Sequence, residues 1–394
     1  MGLPVAPEKI VAHAAELLPW MRETLRRYAL AESPTGDPAA LAHFADLVEA
    51  DHRQAGGTAV RTETAAGPHL VTDWAAGTEQ TAGHLLVLGH LDTVWPVGQL
   101  ARMPYTDDGT RITGPGVYDM KGGLVVLQAA LRILAALGTA PAQPVRAVLI
   151  ADEEIGSPDG VRLVQQGVAG AVAALGLEPP HPGGGLKTGR FGSARFRLAV
   201  TGREAHAALD PEKGISAVDE LVDQLLAVRA AIPSDGSALC NIGRVEGGTR
   251  ANVVAGQAWA EIGLRFRTPE AERVVLPAVT GAGPVRPGAV LDVRPLSARP
   301  AWQPPAEGAN ALLAAVAAAG RGVGQRVEGA PAVGGGDTNL PGSLGLPTLD
   351  GLGPLGQGAH AVHEAIEVAS LVERAALLAA VLATPLGDLA DRPA

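Results

Sequence analysis

Metal-binding side-chain types occur at the ends of five short segments of this 394-residue chain. They are GHLDTV with His90 and Asp92, GPGVYDMKGG with Asp119, ADEEIGS with Glu153 and Glu154, LGLEP with Glu178, and GQGAHAVHE with His360. Imidazole and carboxylate donors suit Zn²⁺ where no thiolate is offered, and water completes the shell. Two histidines and three carboxylates make a ligand set for a pair of such ions. Of the carboxylates then left over, Glu153 is free to move a proton. That combination is suited to cleaving an amide with water.

Each segment also has a plainer reading. His90 and Asp92 lie two apart at the end of an apolar strand, so both side chains leave the same face. Asp92 can accept the second imidazole N–H and fix the tautomer, although a solvated turn would look the same. Asp119 precedes Met120-Lys121-Gly122-Gly123 and a long apolar run. A carboxylate there also fits a helix cap, while the flanking GPG and GG allow the backbone to turn sharply. On an extended backbone Glu153 and Glu154 point apart, so one can bind metal while the other reaches the activated water. Two carboxylates so close to an apolar strand are costly unless compensated. Glu178 ends another apolar run before Pro179-Pro180, a place where surface decoration is common. His360 has His363 three residues on, and composition alone leaves both as candidates. Position joins the segments: strand ends gather on one edge of a parallel sheet, where such sheets bind ligands.

The elements that must do this positioning follow from hydrophobic spacing. Residues 8–30 predict an amphipathic helix, and 37–55 a second one preceded by the capping types Ser33 and Thr35. HLLVLGH (84–90), VRAVLIAD (145–152) and AVAALGLE (171–178) are strand-length and apolar on both faces. Between the first two, residues 122–138 are apolar nearly all round, as in a buried helix. This alternation predicts an α/β fold with a mainly parallel sheet flanked by helices. From about residue 186 the strands SARFRLAVTG and QAWAEIGLRFR alternate apolar with polar, with helical stretches at 213–231 and about 268–278. The expectation is a catalytic domain made of 1–185 and 300–394, with an inserted α+β domain at 186–299. A helix at 307–320 then resumes the first domain, with no internal repeat and no low-complexity tail beyond the short GDLADRPA terminus.

Composition narrows the class. Hydrophobic residues make up 47% and charged ones 18%, a globular balance, while aromatics at 3% leave Ala, Leu and Val to fill the core. A net charge of −10 argues against nucleic acid or an anionic membrane as partner. The single cysteine, Cys240, rules out an internal disulfide and a thiolate zinc site. Neither a signal peptide nor a bilayer-length apolar run is evident, which predicts a cytoplasmic protein.

GHLDTVWPVGQL, GPGVYDMKGGL and the EEIGS run resemble, in order and spacing, the M20 family of zinc peptidases. Within it they are most similar to the glutamate carboxypeptidase branch, the carboxypeptidase G2 type. The likeness spans nearly the whole chain. It implies two zincs per subunit, with Co²⁺ or Mn²⁺ as substitutes: His90 and Glu178 on one, Glu154 and His360 on the other, and Asp119 bridging. Asp92 would orient His90, and Glu153 would be the general base. The family's last ligand sits in a GxAHxxxE-like run, which selects His360 over His363. TGREAHAALDPEKGISAVDEL resembles the family's dimerisation domain, implying a homodimer in which His206 enters the partner subunit's site. GGTRANVV places Asn252 and SARPAW places Arg299 at substrate-binding positions, although an arginine beside proline is also ordinary surface. AVGGGDTN departs from the usual GGxSDxN loop with Gly336 for Ser, and Ser216 stands where Asn is common. The substrate implied is a small molecule or short peptide with a free carboxylate. Deacylation of acetyl- or succinyl-amino acids and dipeptide cleavage are the family alternatives. A non-catalytic amide-binding protein would have lost Glu153 or a ligand, and none is missing.

Overall fold

A computed structural model describes residues 5–77, 83–304 and 310–386. The short terminus at 387–394 and the first residues of the helix expected from 307 lie outside these ranges. The described chain divides into two compact units, one of residues 1–189, 304–332 and 336–394, the other of 190–303 and 333–335.

The first unit begins with α1 (Pro7–Glu16), α2 (Leu18–Leu30) and α3 (Pro38–Gln54). The single helix expected over 8–30 is two, because Pro19 can open a helix in its first turn but not continue one through. The cap of α3 is Asp37, whose carboxylate accepts the Ala40 N–H, whereas the Thr35 hydroxyl donates to Asp92. Strands β1 (Thr58–Thr64) and β2 (Gly67–Trp74) form an antiparallel hairpin that no apolar run announces. The next elements are β3 (His84–His90), α4 (Gly122–Ala136), β4 (Val145–Ile150), α5 (Val161–Val168) and β5 (Ala171–Gly176).

The six-stranded sheet runs β1-β2-β4-β3-β5, followed by the short strand Thr348–Leu349. From β4 onward every pairing is parallel, and the hairpin joins antiparallel through β2 and β4. Alternate residues supply both faces. Leu85 and Val87 pack with α4, while Leu86 and Leu88 join Val148, Ile150 and Val164 on the other side. Burial on both faces explains why these strands read as continuous apolar runs. Helix α4 is buried along nearly its whole length, and the helix Val368–Leu382 packs against it.

The second unit is an antiparallel sheet of β6 (Gly192–Thr201), β7 (Ala238–Gly247), β8 (Gln257–Phe266) and β9 (Val290–Arg299), in the order β7-β8-β6-β9. Its inner face, including Phe196, Leu198, Ile262 and Leu264, is covered by α6 (Ala217–Ala230) and α7 (Pro269–Thr280) through Leu221, Val228, Val275 and Val279. The other face carries Arg195, Arg197, Trp259 and Arg265, which accounts for the alternation in sequence. Among the described residues no helix is long and apolar enough to cross a membrane.

Within the first unit, the start of α4 lies directly against the end of β5. A Cβ added at Gly123 would lie 2.1 Å from the Leu177 carbonyl oxygen, beside Glu178. Gly123→Ala is therefore expected to force α4 off the sheet and lower stability by roughly 1–3 kcal/mol, read as a lower urea midpoint. An unchanged midpoint would show that this approach is not tight.

Candidate active site

Because β3, β4 and β5 are parallel, their ends arrive on one edge of the sheet. His90 is the last residue of β3, Glu153 and Glu154 form a short turn just after β4, and Glu178 follows β5. Asp119 comes from the loop before α4, and its backbone (φ −120°, ψ 94°) is not helical. Helix α4 starts at Gly122 with no side-chain cap, so the cap reading of Asp119 does not hold. His360 comes from a late loop and occupies the left-handed region at φ 61°, rare outside glycine and common where a site imposes it.

These side chains converge. Asp119 lies between the two histidines, with Oδ1 at 3.3 Å from His90 Nε2 and Oδ2 at 3.3 Å from His360 Nε2. Glu178 Oε1 is 3.5 Å from the same nitrogen of His90, and Glu154 Oε2 is 3.1 Å from that of His360. Glu153 shares a cluster with His90 and Glu178, with ligand atoms within 4.8 Å of one another. Of the two histidines left open by composition, His360 is the one facing the carboxylates.

Asp92 does more than its spacing suggested. His90 Nδ1 lies 2.8 Å from the Asp92 backbone carbonyl and 3.4 Å from its carboxylate. The carboxylate itself accepts the N–H groups of Glu153 (3.2 Å) and Glu154 (3.1 Å) and the Thr35 hydroxyl (2.7 Å). It therefore fixes the turn carrying both glutamates as well as the imidazole.

The electrostatics are lopsided. Burial opposes charge on His90, yet its hydrogen bonds to Asp119, Asp92 and Glu178 raise its pKa well above the ordinary histidine value. Donation to Asp119 and Glu154 pushes His360 up to about 10. Burial works to raise Asp119, but the bonds from His360 and His90 hold it below the usual carboxylate range. Glu154 is raised, chiefly by burial, and its buried Oε1 has no hydrogen-bond partner among the described residues. Two imidazolium charges offset only half of the four carboxylates Asp119, Glu153, Glu154 and Glu178. Two divalent cations would offset all four with both imidazoles neutral, the form in which imidazole binds metal. The donor set thus fits a pair of hard-to-borderline ions. Lys121, two residues from Asp119, does not supply the missing charge. Lys121 Nζ turns inward to the carbonyls of Tyr28 (3.0 Å) and Ala31 (2.9 Å) and over the Phe44 ring.

The second unit holds the remaining expected residues. His206 and Asn252 sit in adjoining segments, with the Ala207 N–H donating to the Asn252 carbonyl (3.0 Å). His206 Nδ1 accepts the N–H groups of Ala208 (3.2 Å) and Leu209 (3.1 Å), which leaves the ring proton on Nε2 of the exposed imidazole. Arg299 is half-buried at the end of β9, paired in register with Ser193.

A model of the peptidase family M20/M25/M40 matches residues 86–384. The chain belongs to this family. Carboxypeptidase G2 from Pseudomonas sp. (strain RS-16) is 27% identical over 380 residues, 95% of this chain and 91% of that protein. Succinyl-diaminopimelate desuccinylase of Acidovorax ebreus is 30% identical over 212 residues, 49% of this chain and 54% of its own length. Among solved structures, aminopeptidase PepT from Bacillus cereus ATCC 10987 superposes with a TM-score of 0.71 at 22% identity, over 92% of this chain and 97% of that one, a likeness of fold. This M20 chain is accordingly a carboxypeptidase-like hydrolase with candidate metal-binding residues on its sheet edge.

Thr35 is a site-supporting residue that spacing alone did not reveal. It was legible only as a helix-capping type, since nothing in sequence links it to Asp92, 57 positions away. Asp92→Asn replaces one acceptor oxygen with a donor facing backbone N–H or the Thr35 hydroxyl. Metal affinity is expected to weaken about 10–100-fold, measured by competition with a chromogenic chelator, and Thr35→Val to weaken it less. Unchanged affinity in Asp92→Asn would refute this role.

Proposed function

We propose that this M20 hydrolase is a dinuclear zinc amidohydrolase that releases a C-terminal amino acid, glutamate first among candidates, from an acyl or peptidyl group. The observation that carries the reading is Asp119, one carboxylate oxygen toward each histidine at equal distance. His90 and Glu178 would hold one ion and Glu154 and His360 the other, with Asp119 shared. Oxygen and nitrogen donors also accept Co²⁺ or Mn²⁺. Ions held there would supply a lowered pKa for water and polarisation of the scissile carbonyl.

The rest of the reaction belongs to the chain's own groups. Glu153 takes a proton from the attacking water and delivers it to the leaving amine. His206, its proton placed on Nε2, donates to the oxyanion of the tetrahedral intermediate. Arg299 grips the free carboxylate of the leaving amino acid through paired N–H donors, with Asn252 helping to hold the substrate. In this reading the protein is a cytoplasmic homodimer, and His206 serves the partner's site. Similarity to a desuccinylase favours removal of a succinyl group as the second reading.

A panel of folyl-, benzoyl-, acetyl- and succinyl-glutamate, with alanine, arginine and leucine counterparts, tests the substrate. Selective glutamate release is expected, whereas preference for succinyl substrates whatever the amino acid would favour the second reading. Glu153→Gln should lower kcat about 10²–10⁴-fold while keeping its metal, and mixing it with inactive His206→Ala protein should regenerate activity in hybrid dimers. Full activity of Glu153→Gln, or no recovery on mixing, would contradict the base or the shared site respectively.

A further inference from the structure

Glu364, four residues past His360, is fully buried, and its carboxylate serves four donors. Oε1 accepts the N–H groups of Tyr118 (2.8 Å) and Asp119 (3.0 Å). Oε2 accepts the Gly116 N–H (3.0 Å) and the Trp95 indole N–H (2.7 Å). One side chain thereby ties together three segments that carry candidate ligands: 90–95 after β3, 116–119 before α4, and 360–364. Both oxygens face backbone and indole, so Glu364 supplies the geometry of the loop.

We propose that Glu364 is the positioning residue of the metal centre, aiming the Asp119 carboxylate between His90 and His360. The proposal rests on Asp119 being a metal ligand. The N–H of Asp119 is anchored on the carboxylate, and the backbone of Glu364 leads back to His360 four residues earlier. Antiparallel pairing of 111–113 with 365–367 brings the two loops together, and this charge-assisted contact then fixes the Asp119 end of one against the His360 end of the other. Trp95 adds the strand-end segment of His90 to the same anchor. The glycine at 116 (φ 74°) lets the loop curl so that its three N–H groups point inward at one carboxylate.

Glu364→Gln preserves shape but places an NH₂ against two of the four donors, whichever way the amide is turned. Trp95→Phe removes one donor and leaves the three backbone ones. Both variants, with Asp119→Asn, are compared as full-length chains by Co²⁺ titration followed through the visible absorption of the bound ion, together with kcat, KM and the urea midpoint. Glu364→Gln is expected to bind Co²⁺ about 10–100-fold more weakly, with an altered absorption spectrum. Its kcat should drop by a similar factor while KM is unchanged, and Trp95→Phe should shift the same readouts less. A wild-type cobalt spectrum and affinity in folded Glu364→Gln overturns the proposal. Should that variant fail to fold, Trp95→Phe decides, because an unaltered spectrum and kcat there would make Glu364 a folding residue only. Wild-type cobalt binding by Asp119→Asn would remove the ligand reading and this proposal together. Loss in Asp119→Asn without change in Glu364→Gln removes this proposal alone.

Discussion

Repulsion among carboxylates is the constraint around which the first unit is built. Asp119, Glu153, Glu154 and Glu178 approach two imidazoles on a mostly buried sheet edge. Two unit charges 4 Å apart interact by about 4 kcal/mol at the effective dielectric of a protein surface, and more strongly deeper inside. No sequence keeps such a cluster without something positive to meet it. Two imidazoles drawn toward protonation meet part of it, while the neighbouring carboxylates of Asp92 and Glu364 are met by backbone N–H groups of their own. With both imidazoles neutral, two divalent cations would balance all four carboxylates.

The fold holds these side chains against that repulsion by rigid routes. Three parallel strands fix three candidate ligand positions, and the buried helix α4 fixes a fourth through the loop at its start. Gly123 allows α4 to come down onto the end of β5, bringing Asp119 and Glu178 to the same place. Lys121, two residues from Asp119, fastens that loop to the C-terminal turn of α2, and its buried amine is lowered to about 7 by desolvation. Local order from strands and helices is thus converted into a precise arrangement of side chains that would otherwise separate.

Much of this was legible in the chain. Continuous apolar runs marked β3, β4 and β5 because both sheet faces are covered, and strict alternation marked β6 and β8 because one face is not. The hairpin β1–β2 was not legible as such, since β1 is an edge strand with little burial and no apolar run. Ligand types could be picked out wherever they ended such a run, and the structure brings His90, Asp92, Asp119, Glu153, Glu154, Glu178 and His360 to one edge. Contacts made by backbone donors left no mark in residue type. Nothing in the letters GPGVYD says that their N–H groups meet Glu364, nor that Thr35 serves Asp92. Helical periodicity continues on both sides of Pro19, which is why 8–30 reads as one helix where the chain forms two.

The most direct test of a carboxylate-bridged metal pair is anomalous X-ray scattering from a crystal of the zinc-loaded protein. Two peaks are predicted in each site, about 3.5–4 Å apart, one beside His90 and Glu178, the other beside His360 and Glu154, with the Asp119 carboxylate between them. A single peak, or two peaks that do not share Asp119, would contradict the bridged pair.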